Sequence, residues 1–162
     1  MKFLERDLEK IIWESDNEKL RKRGIKIYGK KLRQVRIGNY GIADIITLYR
    51  TIDQDGEPFL DITVYELKNE NAGISAFLQA LRYVKGIESY LKKYKPNLIF
   101  KLNIILCAKE IDTKSDYIYL TDFIFSEDYY SLCSVKNYSF NYSIDGINFK
   151  VERDYHLTNE GF

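Results

Sequence analysis

The stretch GIADIITLYRTIDQDGEPFLDITVYELKNENAG, residues 41–73, decides the fold predicted for this chain. It contains two runs rich in apolar and β-branched residues, at 41–50 and 60–68, which are typical of strands. The segment between them, TIDQDGEPF, carries the Asp, Gly and Pro residues that favour a hairpin loop. The stretch therefore predicts two paired strands.

Three charged residues lie within or at the end of these apolar strands. Glu66 and Lys68 are two positions apart, so they point to the same face of the sheet while Leu67 points to the opposite layer. Asp44 lies in the middle of the other strand, where an unpaired carboxylate is costly to bury and where Asp is disfavoured. We therefore expect a partner that compensates these charges.

The flanking segments complete the predicted fold. Apolar residues at helical spacing predict an amphipathic first helix from residue 3 to about 20, and residues 31–38 are predicted to form a strand. After Gly73 the pattern predicts a second helix that ends near Lys95 and Pro96. The apolar run at 98–108 predicts a buried strand, and because it follows a helix we expect it to run parallel to an earlier strand. The predicted class is α/β (α+β), with a mixed central sheet flanked by helices.

The C-terminal third is rich in tyrosine. Asp145 and Gly146, flanked by NYSI and INFKV, predict a hairpin there. We expect a core over residues 1–110 and a tyrosine-rich β extension over 111–162, packed on the same domain. For the tyrosines of this part, sheet packing or a subunit interface is favoured over base stacking. They are Tyr117, Tyr119, Tyr129, Tyr130, Tyr138, Tyr142 and Tyr155.

The charge of the chain is almost balanced, with 25 Lys and Arg against 24 Asp and Glu, so a polyanion would be attracted only by a local patch. Such a patch lies at residues 21–36, which hold eight basic residues and no acidic one. Basic side chains neutralise backbone phosphates without reading the base sequence. The best candidates for DNA contacts are Lys26, Lys30, Lys31 and Arg33.

Several classes of site and location are disfavoured. Cys107 and Cys133 match neither a zinc site nor a disulfide framework, and His156 has no nucleophile or ligand partner at a recognisable spacing. No complete phosphate loop of the G-x-x-x-x-G-K-[ST] type occurs, because Lys31 takes the Ser or Thr position after GIKIYGK at 24–30, which disfavours a nucleotide-driven motor or kinase. The charged N-terminus and the lack of a long apolar run lead us to expect a soluble, cytoplasmic protein without a membrane partner.

Asp44 and Glu66 on neighbouring strands offer the hard oxygen ligands that Mg²⁺ prefers, completed by water and substrate phosphate. The backbone carbonyl of Leu67 is the most natural further ligand, and Mn²⁺ can substitute for Mg²⁺. Lys68 would neutralise developing charge or, with its pKa lowered by the metal, accept a proton from the attacking water. These residues predict a metal-dependent phosphodiester hydrolase.

The motifs GIAD at 41–44 and YELK at 65–68 together resemble the bipartite signature of the PD-(D/E)xK nuclease superfamily. The resemblance extends from residue 3 to about 110 and implies a restriction-endonuclease-like αβββαβ core. It implies a Mg²⁺-dependent DNA endonuclease, and a homodimer, since related small nucleases cut both strands as dimers. The first element in that family is often Pro-Asp, whereas Ala43 precedes Asp44 here, as in Gly-x-x-Asp variants.

Both predicted helices carry further elements of this resemblance. QALRY places Gln79 and Tyr83 one helical turn apart and resembles the Q-x-x-x-Y motif of the RecB-like branch. ERDLEKII resembles the E-x-x-L pattern of the archaeal NucS-type endonucleases, which favours Glu5 as the helix carboxylate, with Glu9 as the alternative. The resemblance implies that Gln79 steadies the catalytic site and that Tyr83 contacts DNA.

Each signal also has an ordinary structural explanation when it is taken alone. Glu66 and Lys68 also fit an exposed strand-end pair, Asp44 fits a hydrogen-bonded residue at a bulge, and Gln79 fits a polar helix edge. Two other functions stay open. One is a nucleic-acid-binding or assembly module that keeps the nuclease fold without cleaving, and the other is a nuclease that acts on RNA.

Overall fold

The structure is a computed structural model that describes residues 2–114, 117 and 133–152, with the backbone alone for Cys133. The helices with described bounds are α1 (Glu5–Glu14), α2 (Asn17–Lys22) and α3 (Ile74–Tyr94). The strands are β1 (Lys30–Arg36), β2 (Ile42–Ile52), β3 (Pro58–Leu67), β4 (Asn71–Ala72), β5 (Phe100–Ala108), β6 (Glu110–Ile111), β7 (Cys133–Ser143) and β8 (Gly146–Val151). The predictions for Tyr119, Tyr129, Tyr130, Tyr155, His156 and the Cys133 thiol fall outside the described residues.

Within these residues, the central sheet has six strands in the order β1-β2-β3-β5-β7-β8. The hairpin of β2 and β3 is antiparallel, as is the pair of β1 and β2. β5 runs parallel to β3 after the crossover through α3, and β7 runs parallel to β5. The predicted mixed sheet flanked by helices is confirmed at this level of detail.

Helices cover the sheet on both sides. On the side that we call the α3 face, Val64 of β3 and Ile104 of β5 belong to one core with α3, in which Phe77 is buried. On the opposite side, the α1 face, Tyr65 and Leu67 pack in a second core with α1 and α2. Alternation along β3 thus sends successive side chains into two different cores. Residues at the end of this strand are held from both sides.

The first helix differs from the prediction because it is two helices. The break falls at Ser15 and Asp16, and the Asp16 carboxylate accepts a hydrogen bond from Lys19 N at 2.7 Å, which caps α2. An aspartate at this position stabilises a helix start more than a helix interior. The predicted single helix therefore divides at this residue.

The apolar stripe predicted for the second helix is also only partly buried. Ile74 and Leu78 are exposed, at 40% and 55% of their surface, whereas Ala76, Ala80 and Tyr83 are buried. Small alanine side chains let the helix approach the sheet closely, so the buried face is rotated away from Leu78. The helix itself covers almost the predicted range.

The described part of the C-terminal third is continuous with the same sheet. β7 pairs with β5, and β8 forms the predicted hairpin with β7, with Gly146 at a φ of 104° in the turn. Tyr117 and Tyr138 are buried, and Tyr117 OH lies 2.5 Å from Asn137 Oδ1. Tyr142 is exposed and packs its ring near the N-terminal segment. In the described part of the chain, no helix is long and apolar enough to cross a membrane.

Candidate active site

Asp44 and Glu66 meet where β2 begins and β3 ends. The β2–β3 register pairs Ile45 with Tyr65, so Asp44 and Glu66 take the next position of the ladder. The Asp44 Oδ2 atom accepts a hydrogen bond from Leu67 N at 3.1 Å. Lys68 directly follows β3, and its backbone N–H donates to a carbonyl of β5 at 2.8 Å. The backbone therefore holds all three predicted catalytic residues at one edge of the sheet.

Glu66 is a buried carboxylate with an incomplete set of partners. Its exposed fraction is 1%, and Lys68 Nζ lies 2.7 Å from its Oε1 atom, a close ion pair. The second oxygen, Oε2, has no hydrogen-bond partner among the described residues. Buried polar atoms in folded proteins are normally satisfied, and exceptions often mark sites for an ion or a ligand.

Glu5 rather than Glu9 lies beside Lys68. Glu5 is at the start of α1, is about half exposed, and its Oε1 atom is 4.0 Å from Lys68 Nζ. Glu9 is buried one turn later and accepts hydrogen bonds from Arg33 and from Gln34 Nε2, the latter at 2.7 Å. The structure thus brings the preferred helix glutamate to the cluster and engages the alternative in a separate network.

The electrostatics of the cluster follow from burial and crowding of like charges. Burial raises the pKa of Asp44 to about 6, and the charges of Glu5 and Glu9 add to this effect against the Leu67 hydrogen bond. Burial raises the pKa of Glu66 to about 7, although Lys68 opposes the shift. Burial lowers the pKa of Lys68, but the surrounding carboxylates outweigh it and raise the pKa overall. Lys68 therefore stays protonated and positively charged. A further positive charge nearby would favour the ionised forms of Asp44 and Glu66.

The carboxylates of the cluster offer oxygen ligands to a metal ion. Among the described residues, no group of three or more His, Cys, Asp or Glu side chains has an arrangement that would hold a metal. Mg²⁺, however, usually keeps several waters and is bound through one or two carboxylates plus substrate phosphates. The unsatisfied Oε2 atom of Glu66 and the partly buried carboxylate of Asp44 fit that requirement. The Leu67 carbonyl is the backbone donor in the same stretch.

Gln79 and Tyr83 form a pair on α3. Gln79 Nε2 donates a hydrogen bond to Tyr83 OH at 2.9 Å, as the spacing predicts. Tyr83 is only 2% exposed, so its predicted contact with DNA is not supported by its position. Its ring lies against Gly41, where a Cβ would come within 2.8 Å of Tyr83 Cε1 and where φ is 119°. Tyr83 thus packs on the backbone just before Asp44, and this packing is its structural role.

Two of the four predicted DNA-contacting cations are engaged within the protein. Lys31 Nζ donates to backbone oxygens at the end of α1, one of them at 2.9 Å, and Arg33 pairs with Glu9. Both side chains therefore fasten β1 to α1. The remaining two, Lys26 and Lys30, are exposed and form no ion pair among the described residues. Of the four predicted DNA-contacting residues, Lys26 and Lys30 are thus the two whose charges have no partner among the described residues.

The sequence reasoning missed Gln34. Its φ is 49°, in the left-handed region that a residue with a side chain rarely adopts. The β1–β2 register places Gln34 opposite Asp44. The side-chain amide of Gln34 donates a hydrogen bond to Glu9. Strained backbone often occurs at functional sites. A glutamine carries no sequence signal for this conformation, so the strain becomes visible only in the structure.

The described part of the chain also contains two cavities that are not lined by Asp44, Glu66 or Lys68. One, of about 300 Å³, lies on the α1 face toward the opposite end of the sheet. The other, of about 590 Å³, is mostly apolar and lies between β1 and α3. Neither cavity therefore includes the carboxylate cluster.

Comparison with known proteins gives no assignment. No protein-family model matches the chain, and neither the curated proteins nor the solved structures include a significant match.

Proposed function

We propose that this chain is a metal-dependent DNA endonuclease of the PD-(D/E)xK type, with Mg²⁺ as its metal and Mn²⁺ as a substitute. The observation that carries the proposal is the buried Glu66 carboxylate, which has one oxygen 2.7 Å from Lys68 Nζ and the other without a hydrogen bond from the described residues, with Asp44 on the neighbouring strand. A structural ion pair alone would not require a second acid at this edge. A cation that joins both carboxylates accounts for all three residues.

The arrangement of elements supports a restriction-endonuclease-like core. The order is helix, three strands, helix and a strand parallel to the third, with a short helix α2 and a small strand β4 added. Asp44 near the start of the second strand and Glu66 and Lys68 at the end of the third occupy the positions that the motif resemblance implies. The fold alone does not imply the chemistry, so the proposal depends on these residues.

Each residue has a role that its environment supports. Asp44, Glu66 and the Leu67 carbonyl would hold the metal, which when bound supplies an activated water and neutralises phosphate charge. Lys68, a firm cation between Glu66 and Glu5, stabilises negative charge at the phosphate. Glu5, about half exposed, would orient water beside the metal.

Gln79 would act on the carboxylates indirectly, through Tyr83. Its amide reaches Tyr83 rather than Asp44 or Glu66, and the ring of Tyr83 lies against Gly41. Gln79 would therefore steady the site through the packing of Tyr83 on the backbone that leads into Asp44.

DNA would lie across the end of the sheet where β2 begins and β3 ends, and its phosphates would contact the remaining cations, Lys26 and Lys30. Lys30 pairs with Leu48, four residues along β2 from Asp44, which corresponds to roughly 13 Å at 3.3 Å per residue. A duplex that contacts both points would place a phosphate near Lys30 a few base pairs from the cleavage site. One site per chain cuts one strand, so cleavage of both strands would use a homodimer.

A second candidate function is a nucleic-acid-binding or assembly module that keeps this fold without cleaving. It is favoured by the lack, among the described residues, of a three-ligand metal group. A nuclease that acts on RNA would differ from the DNA endonuclease in its substrate, and from the binding module because it cleaves.

The test is a cleavage panel with Mg²⁺ or Mn²⁺ and a chelator control. Its substrates are supercoiled, linear, branched, flapped and single-stranded DNA, together with single-stranded and duplex RNA. We expect metal-dependent cleavage of DNA that is lost in Asp44→Ala and Lys68→Ala while DNA binding is nearly unchanged. Asp55→Ala and Lys150→Ala are matched controls, because both residues are exposed and lie outside the cluster. DNA binding without cleavage of any substrate would favour the binding module.

A further inference from the structure

A polar cavity lies on the α1 face of the sheet, beyond the part that α1 and α2 cover. Its volume is about 300 Å³, at the small end of the range for ligand pockets. The residues that line it include Lys26, Tyr28, Tyr49, Asp61, Asn103 and Lys136. We call it the polar cavity.

The floor of the polar cavity is a row of hydrogen-bonded polar side chains on three adjacent strands. Asn103 on β5 donates to Asp61 on β3 and accepts a hydrogen bond from Ser134 Oγ on β7 at 2.6 Å. Asp and Asn are disfavoured in central strands, and farther along these strands the same face carries the apolar core of Tyr65 and Ile105. This hydrogen-bonded row gives the cavity a preformed polar floor, which suits a polar ligand better than an apolar one.

The rim of the polar cavity combines cations and aromatic rings. Lys26 and Lys136 are exposed and line the polar cavity, whose lining contains one carboxylate, that of Asp61. Tyr28 and Tyr49 are 53% and 40% exposed, with ring centroids 5.7 Å apart. Two cations against one acid favour an anionic ligand, and half-exposed rings offer a surface on which a flat group can stack.

We propose that the polar cavity binds a nucleotide, with its phosphate at Lys26 and Lys136 and its base against Tyr28 and Tyr49. The hydroxyl of Thr63, which also lines the polar cavity, can donate to or accept from the polar edge of the base or the sugar. The shared chemistry is a 5′-phosphorylated nucleoside. It can come from a free mononucleotide or from the 5′ end of a DNA strand.

This site is separate from the candidate metal site. Asp61 and Glu66 are five positions apart on β3, roughly 16 Å at 3.3 Å per residue, and they point to opposite faces of the sheet. Nucleotide binding in the polar cavity therefore does not depend on metal binding or on cleavage.

The experiment measures binding in a chelator, using Asp44→Ala protein so that the carboxylate cluster takes no part. The probes are the four 2′-deoxynucleoside 5′-monophosphates, the matching nucleosides, inorganic phosphate, and a short single strand with or without a 5′ phosphate. We expect at least one monophosphate to bind, more tightly than its nucleoside and than phosphate, with amide shifts at Thr47, Thr63 and Asn103, which line the polar cavity. Binding of the phosphorylated strand identifies a strand end as the source, and binding of the monophosphate alone identifies a free nucleotide.

Variants of surface residues keep the test independent of folding. Lys26→Ala combined with Lys136→Ala should raise the Kd at least about tenfold, the loss expected for charge-assisted contacts, whereas Lys150→Ala should leave it unchanged. The proposal is overturned if no monophosphate binds, if phosphate binds as tightly, if the shifts lie elsewhere, or if Lys150→Ala weakens binding equally. Because the assay contains no metal, a failure of the nuclease proposal does not affect its outcome.

Discussion

The two halves of β3 carry acidic residues in opposite situations. In the first half, Asp61 accepts a hydrogen bond from Asn103, which is itself bonded to Ser134. At the end of the strand, Glu66 is more deeply buried, with Lys68 Nζ 2.7 Å from one oxygen and no hydrogen bond from the described residues to the other. A satisfied polar row is stable as it is, whereas burial raises the pKa of Glu66 to about 7 despite Lys68, so the ionised carboxylate destabilises the fold at pH 7 and above. The first is a preformed surface, and the second favours a further proton or cation.

The largest effect is expected from removal of the unsatisfied charge. Glu66→Gln keeps the shape of the side chain but removes a metal ligand, so metal-dependent cleavage should fall by at least about a hundredfold. The measurement is initial cleavage rate at saturating Mg²⁺, with Glu110→Gln as the matched control because Glu110 is exposed. Unchanged cleavage in Glu66→Gln would show that the unsatisfied carboxylate is not the metal site.

The second prediction concerns the network that links α1 to β1 beside this cluster. Arg33→Ala removes the charged partner of the buried Glu9, and because the Arg33 side chain is 39% exposed we expect a loss of only about 2 kcal/mol. Urea denaturation measures this difference, with the exposed Arg50→Ala as the control. A loss no larger than that of the control would mean that Glu9 finds other partners and that the network does not hold α1.

The third prediction is the pH dependence of the metal-free protein. The unfolded pKa values of Asp44 and Glu66 are near 3.8 and 4.5, and the folded values are about 6 and about 7. The unfolded chain therefore releases these protons first, so stability should fall as pH rises from about 4 to about 7 and then level off. Thermal unfolding in a chelator measures this trend.

Metal and mutation should both change this pH trend. Mg²⁺ should raise the Tm more at pH 8 than at pH 5, because it binds the ionised carboxylates. Glu66→Gln should reduce the fall in stability with pH, whereas Asp55→Asn, in the exposed hairpin loop, should not. A trend that is identical in wild type and Glu66→Gln would contradict the assignment of this titration to Glu66.

The sequence predicted the parts of this molecule that depend on local pattern. The β2–β3 hairpin, the helix after Gly73 and the parallel strand β5 follow from periodicity and turn residues, and the cluster of Asp44, Glu66 and Lys68 follows from strand alternation. Those features require only that each residue take the conformation its neighbours favour.

What the sequence did not predict depends on contacts between distant segments. Lys31 and Arg33 belong to a basic run, yet α1 supplies oxygens that engage both. The left-handed backbone of Gln34 occurs where β1 lies against β2 and α1, and the row from Asp61 to Ser134 arises only when β3, β5 and β7 align. Charge and spacing in one segment do not determine which partners another segment brings to it.

The smallest effect is expected in the satisfied row, and it should have the opposite sign to that at the end of the strand. Ser134→Ala removes one donor to Asn103 and should cost about 1 kcal/mol of stability, the usual net value of one hydrogen bond. Glu66→Gln, by contrast, should stabilise the metal-free protein at pH 8, because burial raises the pKa of Glu66 to about 7 and the neutral amide avoids the cost of ionising this group, while Glu5 stays beside Lys68. Both are measured by urea denaturation in a chelator, with Ser75→Ala as the control at an exposed position of α3. If both substitutions destabilise the protein, Glu66 is satisfied in the folded state and the contrast between the two halves of β3 is wrong.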